Sequence, residues 1–431
     1  MKTVNIGIIG CGTIGGGVLK YLSKRGGLVE SRRDLRVKVK MVADKDVKKK
    51  AFPSGGRSVF TSDAHELLDD PGIDIVVELI GGINPAKEFV LKAIRNGKHV
   101  VTANKALLAE HGKEIFNLAR DRGVSVRFEA SVGGGIPVIK ALSEDFIVNK
   151  IQAVYGIING TSNFILTKME EDAISFREAL RQAQALGIAE SDPTLDINGA
   201  DPAHKIAILA LLGFGIFVEV NKIFAEGIEN IELCDIEYAR ELGYAIKLLA
   251  IAKKEGSLLD IRVHPTLLPL RYLLSGVRGA QNAIYIKGDL IGDSILYGEG
   301  AGEKATSSAV ISDILDLAES IAKGVTSRMQ DMDFKSGVNS IKEIGEVKSR
   351  YYIRFMAQDK PGVLAKISGI LAKFKISIAS VSQKERHKQH AVPIVMMTHE
   401  AMESDLRDAL KMINKLRSIC GQPVAIRMEM K

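Results

Sequence analysis

Short apolar runs alternate with helical stretches through the first third of the chain. Residues 4–9, 37–42, 73–80 and 99–102 read as buried strands, being evenly apolar and too short for amphipathic helices. A helix follows the first run through Leu19 and Leu22. Another starts at Asn84-Pro85 and closes at Gly97. This alternation predicts an α/β fold with a Rossmann-like doubly wound parallel sheet and ligands at the carboxyl ends of its strands. The middle is looser. Residues 127–131 and 154–158 read as strands and 164–187 as helices. IAILALLGFG, apolar on every side, reads as a helix entering a core, with Asp201 and Pro202 as its N-cap and first helical position. A strand-like stretch at 222–225, a helix over 235–253 and strands near 259–263 and 283–288 suggest a mixed α+β domain, one sheet backed by helices. A further helix covers 305–322. After the polar stretch 331–346, the order β, α, β, β, α, β covers 351–357, 362–374, 376–384, 391–399, 403–416 and 424–430. That order is ferredoxin-like.

A length of 431 residues suggests about three domains at roughly 150 residues each. The pattern places a dinucleotide-binding domain over 1–135 with a return segment at 300–330. A mixed α+β domain covers 136–300, a linker 331–347 and a ferredoxin-like module 348–431. Hydrophobic residues make up 46%, enough for substantial cores, and no apolar run reaches the ~18 residues of a membrane span. MKTVNIGIIGCG enters a strand and glycine loop directly, so neither a signal peptide nor a fused preceding kinase domain is expected. Cys11, Cys234 and Cys420 are scattered, without metal or disulfide spacing, which fits a reducing cytoplasm. The net charge of +7 is dispersed and lacks aromatic-studded basic modules. It argues against nucleic-acid binding and suits anionic cofactors and substrates.

Gly10-Cys11-Gly12-Thr13-Ile14-Gly15 lies between a strand and a helix, the context a dinucleotide fingerprint requires. Gly10 allows the tight turn, Gly12 lets pyrophosphate approach, and Gly15 permits close helix packing; free N–H groups of the helix start hold the phosphates. Asp44, after the second strand, suits ribose hydroxyls. Lys45 and the lysines at 48–50 suit a 2′-phosphate, so NAD and NADP both stay open. Asp44 lies beyond the usual spacing, which the basic insertion at 24–36 explains. His99, at a strand start, and His264, before Pro265, read as structural.

The stretch GIAESDPTLDINGADPAHK gathers Glu190, Asp192, Asp196 and Asp201 ahead of a lone cation, Lys205. A lysine at the mouth of a buried helix, flanked by acids, can exchange a proton with a substrate oxygen; the same pattern also suits a capped helix with a solvated lysine.

This stretch resembles the active-site segment of the homoserine dehydrogenase family. The resemblance extends through TANKALLA around Lys105, the Asn159-Gly160-Thr161 element, VHPTLLPL and GVRGAQNAIYIKGD. It implies interconversion of L-homoserine and L-aspartate 4-semialdehyde with NAD or NADP. Lys205 would be the proton donor, Asp201 would tune it, and Lys105 would lie between cofactor and substrate. Gly160, Thr161, Glu190 and Asp196 would line the substrate, with Glu190 on its ammonium. Gly302 would return to the nicotinamide. A sodium or potassium ion would sit on the Glu129 carboxylate and the carbonyls of Val132, Gly134 and Ile136. The segment Arg271-Tyr272-Leu273-Leu274 and the pair Glu303-Lys304 depart from the family. Asp359-Lys360-Pro361-Gly362 resembles the ACT-domain turn, implying an amino-acid effector, threonine, and a homodimer or homotetramer. Another NAD(P)-dependent amino-acid dehydrogenase, or a non-catalytic sensor, remains the alternative at this point.

Overall fold

The computed structural model describes residues 2–46, 58–325, 338, 340–383 and 391–430. The lysines at 48–50, most of 326–339 and the end of the strand expected at 376–384 lie outside the described residues. Two compact units form. The first is Met1–Val154 with His204–Lys222 and Asn282–Gly337; the second is Tyr155–Ala203 with Ile223–Gln281 and Val338–Lys431.

The first unit is built on six parallel strands: β1 (Lys2–Ile9), β2 (Leu35–Ala43), β3 (Val59–Thr61), β4 (Ile75–Glu78), β5 (His99–Thr102) and β6 (Val126–Arg127). Their order is β3-β2-β1-β4-β5-β6, every pair parallel. The order reverses between β1 and β4, which leaves a crevice at their carboxyl ends. The connecting helices are α1 (Thr13–Arg33), α2 (Ala64–Asp69), α3 (Ala86–Arg95) and α4 (Lys105–Asp121). The basic insertion at 24–36 prolongs α1 to Arg33, and Asp34 then ends it with a left-handed backbone. Val310, Ile314 and Leu317 of the return helix Glu303–Lys323 share one core with Ile6, Ile8 and Val77.

The strand expected at 127–131 stops at Arg127, and Glu129–Ser131 is a tight 3-10 turn. The Glu129 N–H donates to Asp313 (2.7 Å), and its carboxylate accepts N–H groups of Ile139 and Lys140 (2.9 Å each). These bonds take the chain out of the sheet.

In the second unit, α5 (Gly160–Asp172) is capped by the Asn159 side chain. Helix α6 (Ala200–Phe214), which passes into the first unit at His204, starts one residue before the expected cap. Asn198 Oδ1 accepts the Ala200 N–H (2.9 Å), so Asn198 does the capping and Asp201 stands in the first turn. Helix α7 (Leu233–Glu241) is far shorter than the helix expected over 235–253. Gly243, with φ +84°, turns the chain into a strand. The sheet contains β7 (Phe224–Ala225), β8 (Tyr244–Glu255), β9 (Leu258–Pro269), β10 (Lys348–Ala357), β11 (Ile378–Gln383), β12 (Val392–Thr398) and β13 (Val424–Met428). Within this unit its order is β8-β9-β13-β10-β12-β11, with β7 also on β9. With α8 (Val363–Lys373) and α9 (Glu403–Ile413), the last four strands make the ferredoxin-like module. Parallel pairing of Thr266 with Arg427 and Leu267 with Met428 joins it to β9. Ser340–Ile341, inside the expected linker, is itself a short strand on β9.

Candidate active site

At the β1 carboxyl end the fingerprint turn is held by backbone and by Asp44. The Gly10 N–H donates to Ala43 O (2.8 Å), and Asp44 Oδ2 accepts the Cys11 N–H (2.7 Å). Gly10 has φ +93°, and a side chain on Gly15 would collide with the Gly10 carbonyl. A Cβ on Gly12 would meet no protein atom within 4 Å. The space it would fill lies over the start of α1, where Thr13 is exposed and Ile14 half-buried. That is the geometry for an incoming diphosphate. A cavity of about 570 Å³ opens here, lined among others by Gly10, Gly12, Asp44, Lys45, Ser62, Gly81 and Pro85. Asp44 Oδ1 accepts the Asp46 N–H (2.9 Å), and Lys45 is exposed.

Lys105 opens α4 at the carboxyl end of β5. Asn104 caps that helix through the Leu107 N–H (3.1 Å) and donates to Gly82 O (2.6 Å). Beneath it, Thr102 Oγ1 donates to the fully buried Glu78 (2.6 Å), whose other oxygen accepts the Ile80 N–H (2.9 Å). Glu78, Thr102 and Asn104 have no role among the expectations above. A carboxylate closing the apolar run IVVE was the available signal. His99 accepts the Ser125 N–H (3.1 Å), and burial holds it below its ordinary range.

Glu129 is 3% exposed, and burial raises its carboxyl. Asp313 lies against its backbone, and burial beside the Glu129 charge pushes it up to about 8. A buried carboxylate followed by the positive-φ turn at Gly133 and Gly134 offers oxygen ligands suited to a hard monovalent cation. Gly302 has φ +110° ahead of the return helix. Glu303, one of the departures, pairs with Lys20 (3.0 Å) and accepts from the Tyr21 hydroxyl (3.3 Å), so its charge is matched locally.

In the second unit one amide ties the polar residues together. Asn159 Nδ2 donates to Asp196 Oδ1 and Asp201 Oδ2, both at 2.8 Å. Its Oδ1 accepts the Ser162 N–H, and Ser162 Oγ donates to Asp196 O. The structure thus brings Asp196 and Asp201 to the start of α5. Asn159 appeared in the sequence only as part of a turn, because nothing local says which distant carboxylates an amide will meet. Thr161 is buried, and its hydroxyl donates to Ile188 O (3.0 Å). A Cβ on Gly160 would stand 2.8 Å from Ala280 O, so that glycine admits a neighbouring chain rather than open space. Glu190 is exposed, and Asp192 only caps its own turn through Thr194 (3.1 Å). Lys205, in the first unit, lies half-buried on α6 one turn beyond Asp201. The fully buried His264 accepts from Arg262 Nε (2.9 Å), and burial holds it neutral.

Residues 137–315 match the family model "Homoserine dehydrogenase", residues 10–129 match "Homoserine dehydrogenase, NAD binding domain", and residues 351–418 match "ACT domain". The homoserine dehydrogenase of Pseudomonas aeruginosa is 43% identical over 433 residues, spanning 100% of this chain and 99% of that protein. The chain belongs to the homoserine dehydrogenase family. A solved homoserine dehydrogenase from Thiobacillus denitrificans superposes with TM-score 0.92 at 42% identity, covering 100% of this chain and 99% of the other. A hyperthermophilic archaeal homoserine dehydrogenase in complex with NADPH has TM-score 0.63 at 27% identity, covering 73% of this chain and 98% of its own. Homoserine dehydrogenase activity with a nicotinamide dinucleotide replaces the alternatives of another amino-acid dehydrogenase and a non-catalytic sensor. Among the described residues no helix is long and apolar enough to cross a membrane.

Proposed function

We propose that Lys205 exchanges the reacting proton of this homoserine dehydrogenase. NAD(P) supplies or takes the hydride. Lys205 as ammonium donates to the aldehyde oxygen during reduction, and as amine takes the hydroxyl proton during oxidation. Asp201, one turn earlier on α6, orients it. Lys105 is a second cation that steadies the developing alkoxide and contacts the cofactor. The observation that carries this reading is the Asn159 bridge, which fixes Asp196 and Asp201 side by side. Asp196 and the Gly160–Thr161 turn form one wall of the amino-acid site, and Glu190 meets the substrate ammonium from the exposed loop. Lys205→Ala should lower kcat by roughly 10²–10⁴-fold while NAD(P)H binding persists. Near-normal turnover in that variant would transfer the role to Lys105.

The cofactor, NAD or NADP, lies over Gly10, Gly12, Thr13, Ile14 and Gly15 with Gly302 at its nicotinamide end. Asp44 serves the ribose hydroxyls and Lys45 the 2′-phosphate. Asp44→Asn keeps an acceptor for the Cys11 N–H and removes a charge. It should move the NADP/NAD ratio of kcat/KM toward NADP by about tenfold, close to 1.4 kcal/mol. An unchanged ratio would remove Asp44 from cofactor choice. Sodium or potassium binds Glu129 and the carbonyls of Val132, Gly134 and Ile136. The ACT module binds an amino acid, threonine by family resemblance, in a cytoplasmic homo-oligomer.

A further inference from the structure

The C-terminal module touches the segment that backs the substrate carboxylates. Arg427, on β13, is 5% exposed. It holds Glu403 of α9 through Nε (2.9 Å) and Nη2 (2.5 Å). Its remaining nitrogen, Nη1, donates to Glu226 Oε2 (2.7 Å), and its guanidinium stacks on Phe224 (5.0 Å to the ring centroid). Phe224 and Glu226 thus clamp a short segment, β7 and the residue after it, to the module. Glu226 is further fixed by its N–H on Val263 O (2.9 Å).

The same segment presses on the acid-rich turn. A side chain on Gly227 would overlap the Ile197 carbonyl and come within 2.6 Å of Asn198 Cα. The Ile228 N–H donates to Ile197 O (2.9 Å), and a Cβ on Gly199 would lie 3.3 Å from Glu226 O. Backbone therefore meets backbone here, with no soft side chain between. The turn so supported runs directly from Asp196 to Asp201, the two carboxylates gripped by Asn159.

We propose that Arg427 is a positioning residue for the homoserine end of the active site, acting through Glu226 and the Gly227–Ile197 contact on the Asp196–Asp201 turn. The C-terminal strand is thereby part of the substrate-binding apparatus as well as of the sensor. This rests on the reading that Asp196 and Asp201 face the amino acid. Charge-assisted, two-sided gripping by one guanidinium sets both angle and distance, which a lysine cannot reproduce.

The test uses the full-length enzyme. Glu226→Gln leaves the Arg427–Glu403 pair intact, and the Glu226 side chain is about a third exposed (36%), so folding should survive. It should raise the homoserine KM by ~3- to 10-fold, with the NADP KM and the thermal midpoint unchanged. Arg427→Lys should raise the homoserine KM likewise and also lower the thermal midpoint, because it loosens the buried grip on Glu403. The double variant should be no worse than the more severe single one, since both weaken the same link, Glu226→Gln by removing its charge. If Arg427→Lys does not fold, Glu226→Gln decides alone. An unchanged homoserine KM in folded Glu226→Gln overturns the proposal, as does an equal rise in both KM values. Asp196→Asn separates the underlying reading. If it leaves the homoserine KM unchanged, the site assignment fails; if it raises it while Glu226→Gln does not, only the positioning role fails.

Discussion

Single residues divide sharply into those whose chemistry is local and those whose partners are distant. The fingerprint glycines were readable because each answers to its own turn: Gly10 needs its φ of +93°, and Gly12 faces space that the chain leaves open. Gly12→Val should consequently fold normally yet weaken NAD(P)H binding at least about tenfold, read by cofactor fluorescence titration. Asp313 was invisible in the sequence, being one more polar residue on a helix. Its importance lies in meeting Glu129, 184 positions away, in a dry site. Folding raises its carboxyl from an ordinary 3.8 to about 8. Between those values the native state therefore holds a proton that the unfolded chain has released. The resulting stabilisation is complete below the lower value and fades as pH rises through the upper one. Asp313→Asn keeps an acceptor for the Glu129 N–H but no longer titrates. Its urea-denaturation midpoint should decline less than that of the parent enzyme between about pH 4 and 8. Parallel decline in the two proteins would show that another group carries the dependence.

At the scale of elements, the parallel strands and the ferredoxin-like order were legible because burial and period agreed there. The failure at 244–255 has a clear physical source. AIKLLAIA is buried on both faces, and a run without alternation looks the same as a strand or as a core helix. Gly243 was the punctuation that could have separated α7 from β8, since a left-handed residue ends a helix cleanly. Helix α7 in turn depends on the C-terminal module. Its Asp235 is fully buried, accepts the Tyr352 hydroxyl (2.9 Å), and takes Arg354 through Nε (2.7 Å) and Nη2 (3.0 Å). Burial works to lower the guanidinium, and this pairing outweighs it and raises it above its ordinary value. Removing one partner of a buried pair leaves the other charge uncompensated, at a cost of about 3–5 kcal/mol. Arg354→Met should lose about that much in chemical denaturation, whereas Arg354→Met combined with Asp235→Leu should recover a good part of it. Equal losses in the single and double variants would mean that packing, not charge, dominates the junction.

For the whole molecule, the sequence set the C-terminal module apart from the middle of the chain, whereas Tyr155–Ala203, Ile223–Gln281 and Val338–Lys431 form one compact unit. A polar, glycine-containing stretch before residue 348 suggested a tethered sensor. Instead β13 pairs with β9, and Arg262 of β9, almost wholly buried, forms ion pairs with both Asp260 and Glu429. The sensor and the substrate region share one sheet and one set of buried charges within the second unit. Deleting everything after residue 337 would take Arg427 from Glu226, Tyr352 and Arg354 from Asp235, and Glu429 from Arg262 together. The expected result is a destabilised protein with impaired turnover, not an active enzyme merely freed from inhibition. Regulation is better tested inside the intact chain. Gly362, the cap residue before α8, has φ +86°, and a Cβ there would meet no protein atom within 4 Å. Gly362→Asp therefore strains one turn, by roughly 1–3 kcal/mol, without disturbing the core. Threonine should inhibit the full-length enzyme through a coupling of about 1–3 kcal/mol. In Gly362→Asp that inhibition should weaken while uninhibited kcat stays near normal. Inhibition curves for threonine, with isoleucine and methionine as comparisons, check this directly. Undiminished threonine inhibition in Gly362→Asp would place the effector site away from this turn, and absence of inhibition in the parent enzyme would leave the module a structural extension of the substrate sheet.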